Sequence, residues 1–183
     1  MTERPILMNA DSVRAILEGR KTQTRRVIKP QPKPDWAYCF TGRYLSGKTL
    51  MIPTAAYGYR DTWKCPYGAP GDILYVRETT WRNGGYVATD PPSIPNDGKV
   101  PSIHMPRWAS RLTLKVKKVT AARVQDISPW DCIREGLRPL DTSAAPDPRA
   151  RFASLWNEIN AGRGFSWEVN PWVWAIAFEV VNE

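Results

Sequence analysis

The alternation of apolar and polar positions near the start of the chain predicts a short buried strand followed by a short helix. Residues 6–8 form an apolar run that suits a strand, and apolar residues then recur at helical spacing between 13 and 17. Asn9 can cap the start of this helix, and Gly19 can end it in a left-handed conformation. The residues after Gly19 are therefore predicted to lie in a turn or at the start of a second strand.

Further along the chain, the same kind of pattern predicts more strands and two more helices. Residues 73–81 combine an apolar run with an Arg-Glu pair, and residues 111–119 alternate apolar with basic positions, so both predict strands. Serine followed by proline at 128–129 is typical of a helix start, and residues 152–159 repeat at amphipathic helical spacing. A long apolar strand is predicted over 172–181.

Three stretches break this regular patterning. Residues 29–70 interleave prolines and glycines with aromatic residues, which predicts an ordered excursion with short hairpins. Residues 83–101 and 138–147 are polar and rich in turn-forming residues, so we expect surface loops there. Strands with short helices between them predict a mixed α+β, barrel-like fold, and the length of 183 residues suits a single domain, 1–183, with elaborations.

Composition narrows the class of protein. The formal net charge of +8 favours an anionic partner, with nucleic acid as the first choice. The three cysteines match no metal-ligand spacing, and the single histidine excludes most zinc sites and histidine-based triads, so we expect no metal and no cofactor. We expect a cytoplasmic protein without a membrane partner, because no apolar run approaches ~20 residues and no signal-peptide pattern is present.

The most reactive pattern in the chain is a basic cluster just after the first predicted helix. Lys21 and Thr24 lie among Arg20, Arg25 and Arg26, and repulsion between these cations favours the neutral form of the lysine. A lysine with a lowered pKa, three residues from a threonine hydroxyl, can act as a base beside a nucleophile. The same cluster can instead grip a phosphate backbone, or simply form a solvated helix end that complements the helix dipole.

Four segments together resemble the ASCH domain family, in particular its larger phage and prophage members. They are Gly-Arg-Lys-Thr-Gln-Thr-Arg-Arg at 19–26, Gly-Asp-Ile-Leu-Tyr-Val-Arg-Glu-Thr at 71–79, Asp-Ile-Ser at 126–128 with Glu135 and Gly136 further on, and Trp-Val-Trp-Ala-Ile-Ala-Phe-Glu-Val at 172–180. The resemblance spans about residues 5–181 and implies a PUA-like (ASCH) mixed β-barrel with short flanking helices. Relative to the small members of the family, the chain carries insertions at about 30–70, 83–110 and 138–148.

This resemblance implies work on RNA or its components. Some small ASCH proteins are amidohydrolases that remove the acetyl group from N4-acetylcytidine and related N4-acylated cytosine nucleosides. Others have been linked to RNA cleavage, and many have only a predicted RNA-binding role. The family's functional lysine and threonine match Lys21 and Thr24, and Glu135 is the best match to its functional glutamate, with Glu78 as a competing acid.

For amide hydrolysis, each of these residues has a possible role. Lys21 would be the base, Thr24 the nucleophile, and Arg25 or Arg26 would stabilise the oxyanion. Glu135 would hold Lys21 in place or protonate the leaving amine. The alternative is that Lys21 and Glu135 form a plain surface ion pair, which contributes at most about 1 kcal/mol.

Further candidate substrate-binding residues each have more than one possible role. Glu78, with Arg77 on the other strand face, is either a pocket acid facing Lys21 or an acid that anchors the arginine-rich turn in a buried ion pair. Trp108 can stack on a base, although a tryptophan in this context is more often part of a core. Arg20 would contact the substrate together with Arg25 and Arg26.

Three functional hypotheses follow. The first is a metal-independent amidohydrolase acting on N4-acetylcytidine or a related N4-acylated cytosine nucleoside, with Lys21, Thr24 and Glu135 as catalytic residues. The second is a non-catalytic RNA-binding module that uses the same basic pocket. The third is a ribonuclease whose base and acid are Lys21 and either Glu135 or Glu78.

Overall fold

A computed structural model of the protein describes residues 1–32, 44–45, 49–53, 59–81, 87, 89, 98–138 and 147–181. These residues form a mixed α+β fold, as the sequence predicts. The helices are α1 Ala10–Leu17, α2 Pro129–Arg134 and α3 Pro148–Asn160. The strands, in chain order, are β1 Glu3–Leu7, β2 Gln23–Val27, β3 Tyr44–Leu45, β4 Thr49–Pro53, β5 Tyr59–Lys64, β6 Ile73–Arg77, β7 Thr80–Trp81, β8 Lys99–Val100, β9 Thr113–Arg123 and β10 Trp172–Val181.

The centre of the fold is a five-stranded sheet in the order β1-β6-β9-β10-β2. The β1 and β6 strands run parallel, and the other neighbours are antiparallel. The longest pairing joins β9 to β10, from Trp172 opposite Arg123 to Val181 opposite Thr113. Alternate residues of these two strands enter the main hydrophobic core, which packs against the apolar face of α1.

The five-stranded sheet is open among the described residues, whereas the sequence predicts a barrel-like fold and the resemblance implies a mixed β-barrel. Its edge strands are β1 and β2, which are linked by a side chain rather than by a ladder of main-chain hydrogen bonds. Arg26 of β2 donates from NH2 to the main-chain carbonyl of Leu7 in β1 at 2.6 Å. A guanidinium therefore bridges the gap that strand pairing would have closed.

The strand predicted over residues 73–81 is interrupted in the structure. The β6 strand ends at Arg77, and β7 pairs with β8 in a separate two-stranded sheet. Between them, the Glu78 N–H donates to Met105 Sδ at 3.2 Å and the Glu78 carboxylate turns to Arg111. These contacts take Glu78 out of the ladder, which explains the break.

The predicted helix ends are confirmed by their capping contacts. Asn9 Oδ1 accepts from the N–H of Ser12 at 2.9 Å, and Gly19 has the left-handed φ of 72°. Ser128 Oγ accepts from the N–H of Asp131 at 3.1 Å, with proline at the first position of α2. The segment between α1 and β2 therefore starts from a fixed helix end.

The predicted excursions are described only in part. In the 29–70 segment, β3, β4 and β5 form an antiparallel three-stranded sheet, in agreement with the predicted hairpins. Most of the loop predicted at 83–101, and residues 139–146 of the loop predicted at 138–147, lie outside the described residues. Within the described ranges, no helix combines the length and the apolar character that crossing a bilayer requires.

Candidate active site

The turn that follows α1 docks on the end of α2. The Lys21 N–H donates to the carbonyl of Ala15 at 2.9 Å, and the Thr22 N–H donates to the carbonyl of Arg134 at 2.9 Å. Lys21 and Glu135 also form an isolated antiparallel β-bridge. Main-chain contacts thus bring two residues together that lie more than a hundred positions apart in the sequence.

Gly136 makes this close approach possible. Its φ of 101° lies in the left-handed region, which favours glycine. A Cβ at this position would lie 3.0 Å from Ala15 Cβ and 3.3 Å from Lys21 Cβ. Any side chain here would push α1 and the Lys21 turn away from α2.

Lys21, Glu135 and Arg25 form a buried ion network. Lys21 Nζ donates to the Glu135 carbonyl at 2.7 Å and to Glu135 Oε2 at 3.0 Å, while Arg25 NH1 donates to Oε1 at 2.9 Å. The side chains of Lys21, Glu135 and Arg25 are 6%, 5% and 5% exposed. The Lys21–Glu135 contact is therefore a buried pair and not the surface ion pair considered as an alternative.

Burial lowers the pKa of Lys21 below its usual value, and the Glu135 carboxylate opposes this shift. Repulsion from Arg26 and Arg25 also lowers this pKa, but less than burial does. The predicted direction of the shift is therefore confirmed. The main physical cause of the lowered pKa is the loss of solvent around Lys21, and the repulsion between cations that the sequence suggests adds to it.

Two residues that the sequence analysis missed complete the network around Arg25. Arg25 NH2 lies 3.4 Å from Asp131 Oδ2. In the orientation of the Gln23 amide that satisfies its neighbours, its oxygen accepts from Arg25 NH1 and NH2 at 2.9 and 3.1 Å, and its nitrogen donates to Asp131 Oδ1. Spacing was the available signal, because Gln23 and Arg25 share a face of β2, and Asp131 lies one helical turn before Glu135.

The network opens into a cavity of about 520 Å³. Five of the predicted site residues line it: Lys21, Thr24, Arg25, Arg26 and Glu135. Thr24 is only 2% exposed, and no hydrogen bond joins its hydroxyl to Lys21 Nζ in the structure described. The cavity thus holds an amine, a hydroxyl and a carboxylate, and the amine of Lys21 is bonded to the carboxylate of Glu135.

Other cavity walls come from segments far apart in the sequence. Tyr67 follows β5, Trp174 lies on β10, and Trp156 and Phe165 come from α3 and the turn beyond it. Aromatic walls of this kind suit a flat ring such as a nucleobase. Three further cations also line the cavity, namely Lys29, Lys64 and Arg163.

Four predicted substrate-binding residues do not line this cavity. Arg20 donates to Glu18 and to the carbonyl of Gly136, and it borders a second groove beside Trp130. Arg77 NH1 donates to the carbonyl of Ile103 at 3.1 Å. Trp108 is 86% exposed, so it is not part of a core either.

Glu78 is the fourth of these residues, and its surroundings differ from both predicted alternatives. Its side chain is 1% exposed and accepts from Arg111 Nε at 2.8 Å and from Arg111 NH2 at 3.2 Å. It therefore anchors Arg111 and not the arginine-rich turn after α1. Glu135 is the acid that meets Lys21.

Metal ligands and reactive thiols do not add to this site. No group of three or more histidine, cysteine, aspartate or glutamate side chains in the described ranges is placed to hold a metal ion. Burial raises the pKa of Cys65 and of Cys132 to about 11, so neither is an activated thiolate. Cys39 lies outside the described residues.

Comparison with known proteins gives weak structural similarities. No protein-family model matches the chain, and no curated protein matches it significantly. A solved structure of a hypothetical protein aligns with a TM-score of 0.45 and 12% identity, covering 98% of this chain and 100% of that chain. A protein from Enterococcus faecalis described under the family name DUF984 gives a TM-score of 0.44 and 14% identity, over 99% of this chain and 77% of that one.

An ASCH domain from Lactobacillus crispatus is also among these neighbours. It aligns with a TM-score of 0.38 and 13% identity, over 98% of this chain and 79% of that chain. TM-scores this low do not establish a common fold, so membership of the ASCH family is a proposal.

Proposed function

We propose that the chain is an ASCH-like domain that hydrolyses the exocyclic amide of N4-acetylcytidine or of a related N4-acylated cytosine nucleoside. The observation that carries this proposal is the buried Lys21–Glu135 pair, which shares an aromatic-walled cavity with the hydroxyl of Thr24. Sequence resemblance supports the same residues. Glu135, rather than Glu78, is the functional acid.

In the first half of the reaction, the neutral amine of Lys21 takes the proton of the Thr24 hydroxyl. Thr24 Oγ1 then attacks the acyl carbon, and the carbonyl electron pair moves to the oxygen. As the C–N4 bond breaks, the Lys21 ammonium returns the proton to N4 of the leaving cytosine. Lys21 must reach Thr24 directly or through one water molecule, and both residues line the cavity.

In the second half, water hydrolyses the acyl ester on Thr24. Lys21 takes a proton from the attacking water, and this proton returns to Thr24 Oγ1 as acetate leaves. Glu135 keeps Lys21 in place through both of its oxygen contacts. Of the two arginines, Arg26 is the better donor to the oxyanion. Among the described residues, only its NH2 group makes hydrogen bonds, which leaves NH1 for the substrate. In Arg25, both NH1 and NH2 already donate to acidic side chains.

The test is incubation with N4-acetylcytidine, followed by chromatography for cytidine and acetate. The wild type is expected to release both products, and Thr24→Val to lose this release by at least about a hundredfold, because it keeps the shape but removes the nucleophile. Thr24→Ser should retain measurable turnover, and Lys21→Ala should lose it. A Thr24→Val variant with wild-type turnover would overturn the role of the hydroxyl.

A non-catalytic RNA-binding module is the second candidate. One observation favours it: Lys21 Nζ is bonded to Glu135, and no hydrogen bond to the Thr24 hydroxyl is formed in the structure described. A module of this kind would bind RNA without releasing acetate or cleaving the backbone. Thr24→Val would then bind RNA as tightly as the wild type. Cleavage of an RNA strand by the wild type would instead indicate a ribonuclease.

A further inference from the structure

The charges that line the cavity are unbalanced. Two acidic residues line it, Asp11 and Glu135, whereas six cationic residues do: Lys21, Arg25, Arg26, Lys29, Lys64 and Arg163. An excess of positive charge in a recess attracts an anion more strongly than the same charges on a flat surface, because the walls exclude solvent.

Neither acid is free to offset this excess. Glu135 is bonded to Lys21 and Arg25. Asp11 lies 3.2 Å from Arg14, a residue that does not line the cavity. The remaining four cations form no ion pair with an acid among the described residues. They are Arg26, Lys29, Lys64 and Arg163.

Three of these cations reach the cavity from two segments of the chain. Arg26 lies on β2, Lys29 follows two residues after this strand, and Arg163 lies in the turn after α3. Burial lowers the pKa of Arg26, Tyr67 and Glu135 oppose this shift, and repulsion from Arg163 adds to it. Lys29 Nζ lies 5.2 Å from the centre of the Phe165 ring, which also lines the cavity. An aromatic face in this position restrains the lysine beside the cavity.

We propose that the cavity also recognises a phosphate attached to the cytosine nucleoside, so that it binds a nucleotide or a short stretch of RNA more tightly than the free nucleoside. This proposal rests on the function proposed above and specifies the substrate class. The aromatic walls take the base, Arg26 faces the acyl group as proposed above, and Lys29 and Arg163 take the phosphate. Guanidinium and ammonium groups form their strongest hydrogen bonds with such charged acceptors.

The test compares cytidine 5′-monophosphate with cytidine, neither of which carries the N4-acyl group that the proposed reaction removes. Binding is measured by calorimetry or by the fluorescence of the cavity tryptophans. The monophosphate is expected to bind at least about tenfold more tightly at low salt, and this ratio should shrink as salt screens the charges. Equal affinity for the two compounds would overturn the proposal, and so would no detectable binding of either.

Two variants locate the phosphate, and a third serves as the control. Arg163→Gln and Lys29→Gln should each reduce the affinity for the monophosphate several-fold and leave the affinity for cytidine unchanged. Lys115→Gln removes an exposed cation from β9, outside the cavity, and should change neither affinity. An equal loss in Lys115→Gln would show that the preference reflects overall charge, which contradicts the proposal.

Binding of a cytidine trinucleotide shows whether the phosphate belongs to an RNA strand or to a free nucleotide. Tighter binding of the trinucleotide than of the monophosphate would indicate an RNA strand, and equal binding would indicate a free nucleotide. Failure of the hydrolase proposal remains distinguishable from failure of this one. A protein that prefers the monophosphate but releases no cytidine from N4-acetylcytidine, with or without a phosphate, binds nucleotides without hydrolysing the amide.

Discussion

Lys21 is held by two different oxygens of one residue. Glu135 offers its main-chain carbonyl at 2.7 Å and its carboxylate at 3.0 Å, and both accept from the same nitrogen. The main-chain contact fixes the position of the amine, whereas the strength of the carboxylate contact depends on whether the amine is charged. Burial opposes that charge, so the two protonation states of Lys21 are closer in free energy than those of an exposed lysine.

The lowered pKa of Lys21 predicts the pH dependence of hydrolysis. The reaction needs the neutral amine, so kcat/KM should rise with pH and level off below the usual lysine pKa of 10.5. Lys21→Arg, which stays protonated, should be inactive across the range. The measurement is a pH–rate profile with N4-acetylcytidine. A rate that does not increase with pH would show that Lys21 is not the base.

The same shift affects stability in a defined direction. Between the lowered pKa of the folded protein and the ordinary pKa of the unfolded chain, the unfolded chain binds more protons at Lys21. The contribution of this residue to the free energy of unfolding therefore grows as pH rises through that window.

At the residue scale, the sequence predicted the reactive groups but not all of their contacts. Lys21 and Thr24 could be named from their types and spacing and Glu135 from the family resemblance, and all three line one cavity. The contacts of Arg25 with Gln23 and Asp131 could not, because they depend on how β2 faces α2. The Glu78–Arg111 pair was missed for a similar reason, since it joins residues from two segments that lie far apart in the sequence.

The junction between the α1 turn and the end of α2 is the element-scale feature on which the site depends. Glu135 supplies its only carboxylate to both Lys21 and Arg25, and all three are buried. Glu135→Gln should lower the free energy of unfolding by about 3–5 kcal/mol, because it removes the acid paired with buried Lys21 and leaves Arg25 only its longer contact with Asp131. Urea denaturation measures this loss.

A matched control is available on the surface. Glu179 pairs with Lys117, and both side chains are about half exposed. Glu179→Gln should therefore cost less than about 1 kcal/mol. Similar losses in the two variants would show that the Glu135 network does not stabilise the fold more than a surface pair does.

Gly136 allows a second test of the junction. Gly136→Ala should destabilise the protein by about 1–3 kcal/mol, because of its positive φ and its contact with Ala15. Hydrolysis should fall as well, since the added methyl group also meets Lys21. Gly162→Ala is the control, because a Cβ there meets nothing within 4 Å. An unchanged unfolding midpoint for Gly136→Ala would argue against close packing at the junction.

Element positions were predicted best where local chemistry decides them. The ends of α1 and α2 follow from Asn9, Gly19 and Ser128, whose capping roles act within a few residues. The break after Arg77 follows from contacts of Glu78 with Arg111 and Met105. Those contacts arise only in the folded chain, so the local pattern predicted an uninterrupted strand.

At the scale of the whole molecule, the cavity gathers side chains from both ends of the chain. Its walls include Asn9 near the start and Trp174 in the last strand. The fold class followed from the order of strands and helices, which local patterns reveal. The lining by Lys64, Tyr67 and Arg163 could not be predicted, because it depends on where the 29–70 excursion and the end of α3 lie relative to the sheet.

The net charge of +8 leads to a prediction about RNA. Binding of a short single-stranded RNA should weaken as salt rises, with a log–log slope of about −0.7 per phosphate contacted. Arg163→Gln should reduce this slope by about one contact. Replacing Lys115, Lys117 and Lys118 together by glutamine should leave it unchanged. A reduced slope in the triple variant alone would place the RNA on the face of β9.

The bridge between Lys21 and Glu135 lies two residues before β2, which is an edge strand of the sheet. Main-chain groups beside a sheet edge can pair with another chain, but here the Thr22 N–H donates to Arg134 at the end of α2 instead. The turn that carries Lys21 thus has fewer main-chain groups left to pair with another chain. Because these contacts are made by the main chain, they do not depend on the side chains that the reaction would need, and loss of the substrate would leave them in place.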